Sequence, residues 1–381
     1  MKTNMSSIRL RVTIYTLLIF ICLLLLEVGS SLILKIISKN NSEVVTSSFV
    51  FKSMNEDGSF SPKNDYVLPL QENASYKWKR EEFDVDVRTN SIGLREDYEI
   101  NFNQIKVAFF GDSFTFGHGV NVEDRYTNIF AKLSKKFNQS EVVSMSYKNG
   151  FQPEHYEFLI RNLTYLKPNY YVIGVYLGND FGSDLLETNY DVENNKLELP
   201  YRLIFKEGQL RNNPERLKQP WRTLSQFSNF GSVIIKIIGR TKFRTILFSD
   251  FEGPNSPNSL ELELGKTNLI DNRAMKSLKR INSLAKSREG QLIVLLIPQN
   301  FHFGNNNPHI HPSLSADLES VRSGNNLLKQ VKLVCVEMEI QCIDPSSILS
   351  VDDYFVNDAH WNAKGHYKIG EHLTKSVPFK K

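Results

Sequence analysis

Short apolar runs recur from Ile105 to the C-terminus, each closed by a glycine, a proline or a polar pair. Val107 to Phe110 ends at Gly111, Glu141 to Met145 precedes a serine-rich turn, and Tyr170 to Val175 runs on to Gly178-Asn179-Asp180. Gln291 to Ile297 stops at Pro298, and Gln341 to Ile343 is the last and shortest. Unbroken apolar runs of this length suit strands buried on both faces. Between them the apolar positions switch to a helical period. Tyr126 to Phe137 is amphipathic, and Glu154 to Leu166 puts Tyr156, Leu159, Ile160 and Leu163 on one face before Pro168. Asn272 to Lys286, Ser315 to Met338 and Asn362 to His372 complete the helices. Strands alternating with helices predict a doubly wound parallel sheet in a three-layer α/β/α arrangement.

The pattern before and within this region differs. Val12 to Leu34 is predominantly apolar and, at 23 residues, exceeds the roughly 20 that a helix needs to cross hydrocarbon. Glu27 sits past its middle, a costly group at depth unless near an interface. Residues 1–39 read as a membrane anchor, the rival being a cleaved signal peptide with its site near Val28-Gly29-Ser30. Residues 40–104 read as a stalk and a small β-rich preamble. There Arg95 is expected as a surface salt-bridge arginine, with the crevice as its alternative. Residues 105–381 form the main domain, interrupted at about 181–265. That insert predicts a hairpin around Asn194-Asn195 and a basic amphipathic helix over Trp221 to Arg240. Its position suits a lid, and Arg222, Lys236, Arg240, Lys242 and Arg244 are either a solvated face or a contact for anionic lipid or glycan.

Charge sharpens the membrane reading. The net charge of +4 lies entirely in residues 1–39, where Lys2, Arg9, Arg11, Lys35 and Lys39 face Glu27 alone. The basic start places the N-terminus in the cytoplasm and the bulk outside it. The neutral remainder lacks the concentrated basic face of a nucleic-acid binder. Composition is that of a globular protein, 41% apolar and 23% charged. Cys22 lies in the apolar leader, so Cys335 and Cys342 allow at most one bridge, and only if the chain is exported. His302, His309 and His311 share a loop without the further ligand spacing a metal site needs, and no metal or cofactor is expected.

Candidate chemistry gathers after the predicted strands. Ser113 follows the first strand at Gly111-Asp112, where it suits either a helix N-cap or a nucleophile. Asn179 follows the third strand, and Asp358 and His360 stand together before the final helix. His366, in Lys-Gly-His, reads as helix-start packing.

In these blocks the chain resembles the SGNH hydrolases, the GDSL-type esterases and lipases, in a membrane-anchored form. Gly111-Asp112-Ser113 matches the first block, Gly150 the second, Gly178-Asn179-Asp180 the third, and Asp358 with His360 the fifth. The resemblance implies Ser113 as nucleophile, His360 as base and Asp358 as acid. It implies an oxyanion hole from Ser113, Gly150 and Asn179. Three departures stand out. Asp358 is two residues before His360 where the family has three, which leaves Asp352 and Asp353 as alternative acids. Leu177 replaces the first glycine of the third block, and Ser144 and Ser146 stand upstream of Gly150 where an asparagine is frequent. The implied activity is ester hydrolysis on acylated envelope glycan or lipid. An O-acyltransferase and a non-catalytic glycan-binding protein are the alternatives.

Overall fold

The elements that frame the main sheet are, in chain order, a hairpin, β1 (Ser75–Lys79) and β2 (Asp84–Arg88), then β3 (Val107–Gly111), α1 (Ser113–Phe116), α2 (Tyr126–Leu133), β4 (Val142–Ser146), α3 (Pro153–Asn162) and β5 (Tyr170–Tyr176). After the insert come α4 (Arg273–Ser287), β6 (Gln291–Ile297), α5 (Leu318–Glu337), β7 (Gln341–Ile343) and α6 (Ala363–Ser376). This is a computed structural model describing residues 15, 22, 25–31, 59–60, 72–146, 151–178, 180–181, 189–194, 196–198, 203–206, 209–212, 269–299, 318–356 and 358–376. The chain divides into two compact units, residues 1–43 with 214–251, and residues 44–213 with 252–381. In the first, the described residues are Tyr15, Cys22 and the helical stretch 25–31. No helix among the described residues is long and apolar enough to cross a membrane, and the span expected over Val12 to Leu34 lies largely outside them.

In the second unit the apolar runs form one five-stranded parallel sheet of order β7-β6-β5-β3-β4. Alternation along β3 shows why it is buried on both sides. Val107 and Phe109 pack with Tyr126 and Phe130 of α2 and Ile369 and Leu373 of α6. Ala108 and Phe110 pack with Leu159 of α3, Leu278 of α4 and Leu327 of α5. The result is the expected three-layer α/β/α sandwich. Strands β3 and β5 are neighbours whose chains depart to opposite sides of the sheet, so a crevice opens at their carboxyl ends.

Two helices stop short of the apolar pattern for local reasons. Helix α2 ends at Leu133 because Ser134 is extended and its hydroxyl accepts the N–H groups of Lys136 and Phe137. Helix α3 ends at Asn162, where Leu163 leaves helical geometry. Antiparallel strands at Asn189–Asp191 and Lys196–Glu198 form the hairpin expected around Asn194-Asn195. The helix expected over Trp221 to Arg240 lies outside the described residues.

Two buried carboxylates tie neighbouring elements together. Glu157 on α3 is fully buried, and Arg280 on α4 donates to both its oxygens at 2.7 to 2.9 Å, with Arg161 adding a further contact at 2.9 Å. Glu96, ahead of β3, pairs with Arg125 at 2.7 Å and accepts the Ser144 N–H from β4. Cys335 at the end of α5 and Cys342 in β7 form a disulfide. Sequence alone left that pairing open.

Candidate active site

The turn after β3 is built by steric necessity. A Cβ on Gly111 would stand 1.9 Å from the Thr115 hydroxyl, so only glycine lets α1 fold back so tightly on the strand. Asp112 caps this helix by accepting the Phe114 N–H at 3.0 Å. Ser113 is therefore relieved of the capping role that its position also suited. Its hydroxyl points to His360, with Oγ 2.6 Å from Nε2. The Ser113 backbone N–H, first in the helix, has no backbone acceptor among the described residues.

His360 arrives on a loop closed at its base by a bridge between Tyr354 and Trp361. The Phe355 N–H donates to the His360 carbonyl at 3.0 Å, and the Asn362 amide donates to the carbonyls of Asp352 and Tyr354. Asn362 also accepts the Gly365 N–H, so one side chain braces the loop and starts α6. Phe114 packs on the His360 ring with centroids 4.7 Å apart, and Trp361 anchors behind it, fully buried.

Asp358 Oδ1 contacts His360 Nδ1 in a short hydrogen bond and accepts the His360 backbone N–H at 3.1 Å. The other oxygen, Oδ2, lies 3.2 Å from His118 Nε2 and 3.6 Å from Arg80. Burial opposes the charge on Asp358, but the donors His118 and His360 outweigh it and hold the carboxyl well below the usual range. The alternative acids are elsewhere. Asp353 is buried under Ser350 and Lys368, and Asp352 is exposed. Asp112 is fully buried and its carboxyl is pushed up to about 6 by that burial.

Three contributors lie beyond the residues that the sequence pattern singles out. His118 stacks on His360 with centroids 4.0 Å apart and planes within 10°. Trp78 and Arg80 come from the hairpin in the region expected as preamble, and Trp78 meets His118 edge-on at 4.5 Å. A histidine between two glycines, five residues past Ser113, was the available signal. Arg95 departs from both expectations. It is 2% exposed and donates to the carbonyls of Phe116, Gly117 and Val120 at 2.6 to 2.8 Å. An exposed salt bridge is ruled out by those three buried acceptors.

Gly150 and Asn179 lie outside the described residues, as do His302, His309, His311 and the basic positions Arg222, Lys236, Arg240, Lys242 and Arg244. The described flanks of Asn179 do stand at the crevice edge of β5. There Asp180 accepts the Tyr176 N–H at 2.9 Å and returns its own N–H to the Tyr176 carbonyl at 3.1 Å. His366 is buried away from the crevice, accepting the Tyr126 N–H and stacking on that ring, as packing predicts. Among the described residues, His118, Asp358 and His360 have ligand atoms within 4.8 Å of one another, close enough to surround a cation. Both nitrogens of His360 are already engaged, by Ser113 and Asp358.

No protein-family model matches the chain, and no curated protein matches it in sequence. Solved structures do match. The M. smegmatis aryl esterase aligns over 71% of this chain and 97% of its own, with 12% identity and a TM-score of 0.37. A carbohydrate acetylesterase family member from Sinorhizobium meliloti aligns over 71% and 96%, with 11% identity and a TM-score of 0.38. A GDSL-like lipase from Bacteroides thetaiotaomicron aligns over 73% and 90%, with 9% identity and a TM-score of 0.37. At these scores the likeness carries no weight for the chemistry, which stands on the side chains described above.

Proposed function

We propose that the chain is an SGNH-type carboxylic ester hydrolase working through a Ser113-His360-Asp358 triad. The observation that carries this reading is the 2.6 Å contact between Ser113 Oγ and His360 Nε2, with Asp358 on the opposite ring nitrogen. As Oγ attacks the acyl carbon, Nε2 takes its proton and Asp358 steadies the imidazolium. The carbonyl oxygen, now an anion, needs donors about 3 Å away. The Ser113 N–H is one, and Gly150 and Asn179 are the proposed others. Collapse expels the alcohol with the proton from His360, and water then repeats the sequence in reverse to free the acid.

The proposed substrate is an acylated envelope glycan or lipid met outside the cytoplasm, with the chain held by an N-terminal membrane helix. Support comes from the length of the Val12 to Leu34 run, the basic residues before it and the Cys335–Cys342 disulfide, a bond that persists in oxidising compartments. A sugar hydroxyl replacing water as acceptor would give an O-acyltransferase with the same residues.

The test is turnover of short acyl esters by the purified chain, with and without a serine-directed phosphonate. Ser113→Ala should lower kcat by roughly four orders of magnitude or more while leaving the melting temperature in place. Comparable turnover in that variant overturns the assignment. Adding sugar acceptors and following acyl transfer separates the two reactions. Carbonate washing of membranes, with sequencing of the mature N-terminus, tests the anchor. A soluble chain beginning near Ser31 would refute the anchor but not the esterase.

A further inference from the structure

The turn that follows the nucleophile is fixed more heavily than the proposed acyl transfer requires. Gly117 and Gly119 both lie in the left-handed region, at φ of +81° and +76°, where other residues are strained. A Cβ on Gly119 would also stand 2.7 Å from Phe355 and 2.8 Å from Phe83. Arg95, fully buried, clasps the carbonyls of Phe116, Gly117 and Val120, on both sides of residue 118. The His118 N–H itself donates to the Ser113 carbonyl at 3.0 Å. What this turn presents to the site is one imidazole.

That ring has two contacts with the triad. It lies flat on His360, and its Nε2 is 3.2 Å from the Asp358 oxygen that His360 leaves unused. At that distance Nε2 does not yet meet the geometry of a full hydrogen bond to any described residue. Catalytic hydrogen bonds in ligand-free sites are often poorly aligned and tighten when substrate binds. Trp78 and Phe83 close the remaining sides of the ring edge-on, at 4.5 and 5.5 Å.

We propose that His118 is a positioning residue for the ester-hydrolase reaction: its Nε2–H holds the second oxygen of Asp358 while its ring buttresses His360 in the rotamer that faces Ser113. The inference rests on the triad reading above. Its physical requirement is that His118 stay neutral. Burial and the neighbouring His360 push it down to about 3, against the pull of Asp358. A neutral donor shares the carboxylate charge without repelling the imidazolium that forms 4.0 Å away during attack. The charged or titratable groups around this pair are Asp358 and Arg80 beside His118, Asp112 toward His360, and the buried His366 of α6 within electrostatic reach of both.

Two substitutions separate the donor from the ring. His118→Phe keeps an aromatic face and removes the N–H, whereas His118→Gln keeps an N–H and removes the ring. Loss of the donor concentrates the Asp358 charge on His360, which then holds its proton to higher pH. For His118→Phe the expected result is a kcat lower by roughly tenfold to a hundredfold with little change in KM. The acid limb of kcat/KM should move upward, and His118→Gln should return it toward the wild type. Wild-type kcat and limb in His118→Phe would overturn the proposal. So would losses that follow the melting temperature in both variants while the limb stays fixed, since packing alone would explain them. Phosphonate labelling of Ser113 in the wild type checks the underlying reading separately. If Ser113 is not labelled, the ester-hydrolase reading fails, and a His360 proton-NMR titration in wild type and His118→Phe still decides the positioning. Identical titrations would overturn it.

Discussion

Asp358 binds His360 twice with the same oxygen, at the ring Nδ1 and at the backbone N–H. The double contact accounts for the short spacing. An aspartate two residues ahead can accept the N–H that follows it in an Asx-type turn, and the same carboxylate then already lies beside the imidazole. A longer spacing is not needed to bring acid and base together.

From this follows a ranking of the three candidate acids. Asp358→Asn should reduce kcat by about four orders of magnitude, as expected when the partner of the base is lost. Asp353→Asn should instead lower stability, because Asp353 is buried and holds Ser350 and Lys368. Asp352→Asn should leave both unchanged. Parallel kinetics and urea unfolding on the three variants would expose an inverted order.

Glu96 and Arg125 form a buried ion pair that joins the segment ahead of β3 to the start of α2. Glu96→Gln leaves the guanidinium buried without its counter-charge, and a loss of roughly 3 to 5 kcal/mol in unfolding free energy is expected. Glu99→Gln, an exposed carboxylate that accepts from Ser91, should cost less than about 0.5 kcal/mol. Equal urea midpoints for the two variants would contradict this account.

Stability should depend on pH through two aspartates acting in opposite directions. Asp358 binds its proton less readily folded than unfolded, so its contribution is complete above about pH 4 and lost as pH falls toward its depressed folded value. Asp112 is raised to about 6, so its contribution is complete below about pH 4 and lost as pH rises through 6. Asp112→Asn should therefore gain melting temperature relative to wild type between pH 4 and 7. Melting curves that stay parallel across that range would show that Asp112 is not the group responsible.

Reduction of Cys335–Cys342, which closes a short loop between α5 and β7, should cost about 2 kcal/mol. Melting with and without dithiothreitol, against a Cys335→Ala/Cys342→Ala variant, measures it. An effect of reductant that persists in the double variant would point to another cause.

Much of the scaffold is legible in the chain because burial on both faces leaves a plain signature. The runs at Gln291–Ile297 and Gln341–Ile343 become β6 and β7 with the same bounds. Helix ends are less legible, since α2 stops where the Ser134 hydroxyl captures two N–H groups and no apolar pattern records that choice. Ser113, Asp358 and His360 were visible as polar residues after strands. His118 was not, because its role comes from stacking on a ring far along the chain, and a histidine between glycines reads locally as a turn. The role of Arg95 is hidden for a related reason. Its acceptors are main-chain carbonyls, which carry no residue identity.

The Glu157–Arg280 clamp has a consequence for chain length. Helices α3 and α4 must meet whatever lies between β5 and β6, and the closure cost of that interval grows only with the logarithm of its length, about 0.6 kcal/mol per doubling. A seven-residue parallel pairing and a bidentate Arg280 guanidinium on the buried Glu157 carboxylate stand against that small entropic penalty. Chain inserted at this point is thermodynamically cheap, so lengthening the interval after Asp180 should leave the pairing of β5 with β6 in place.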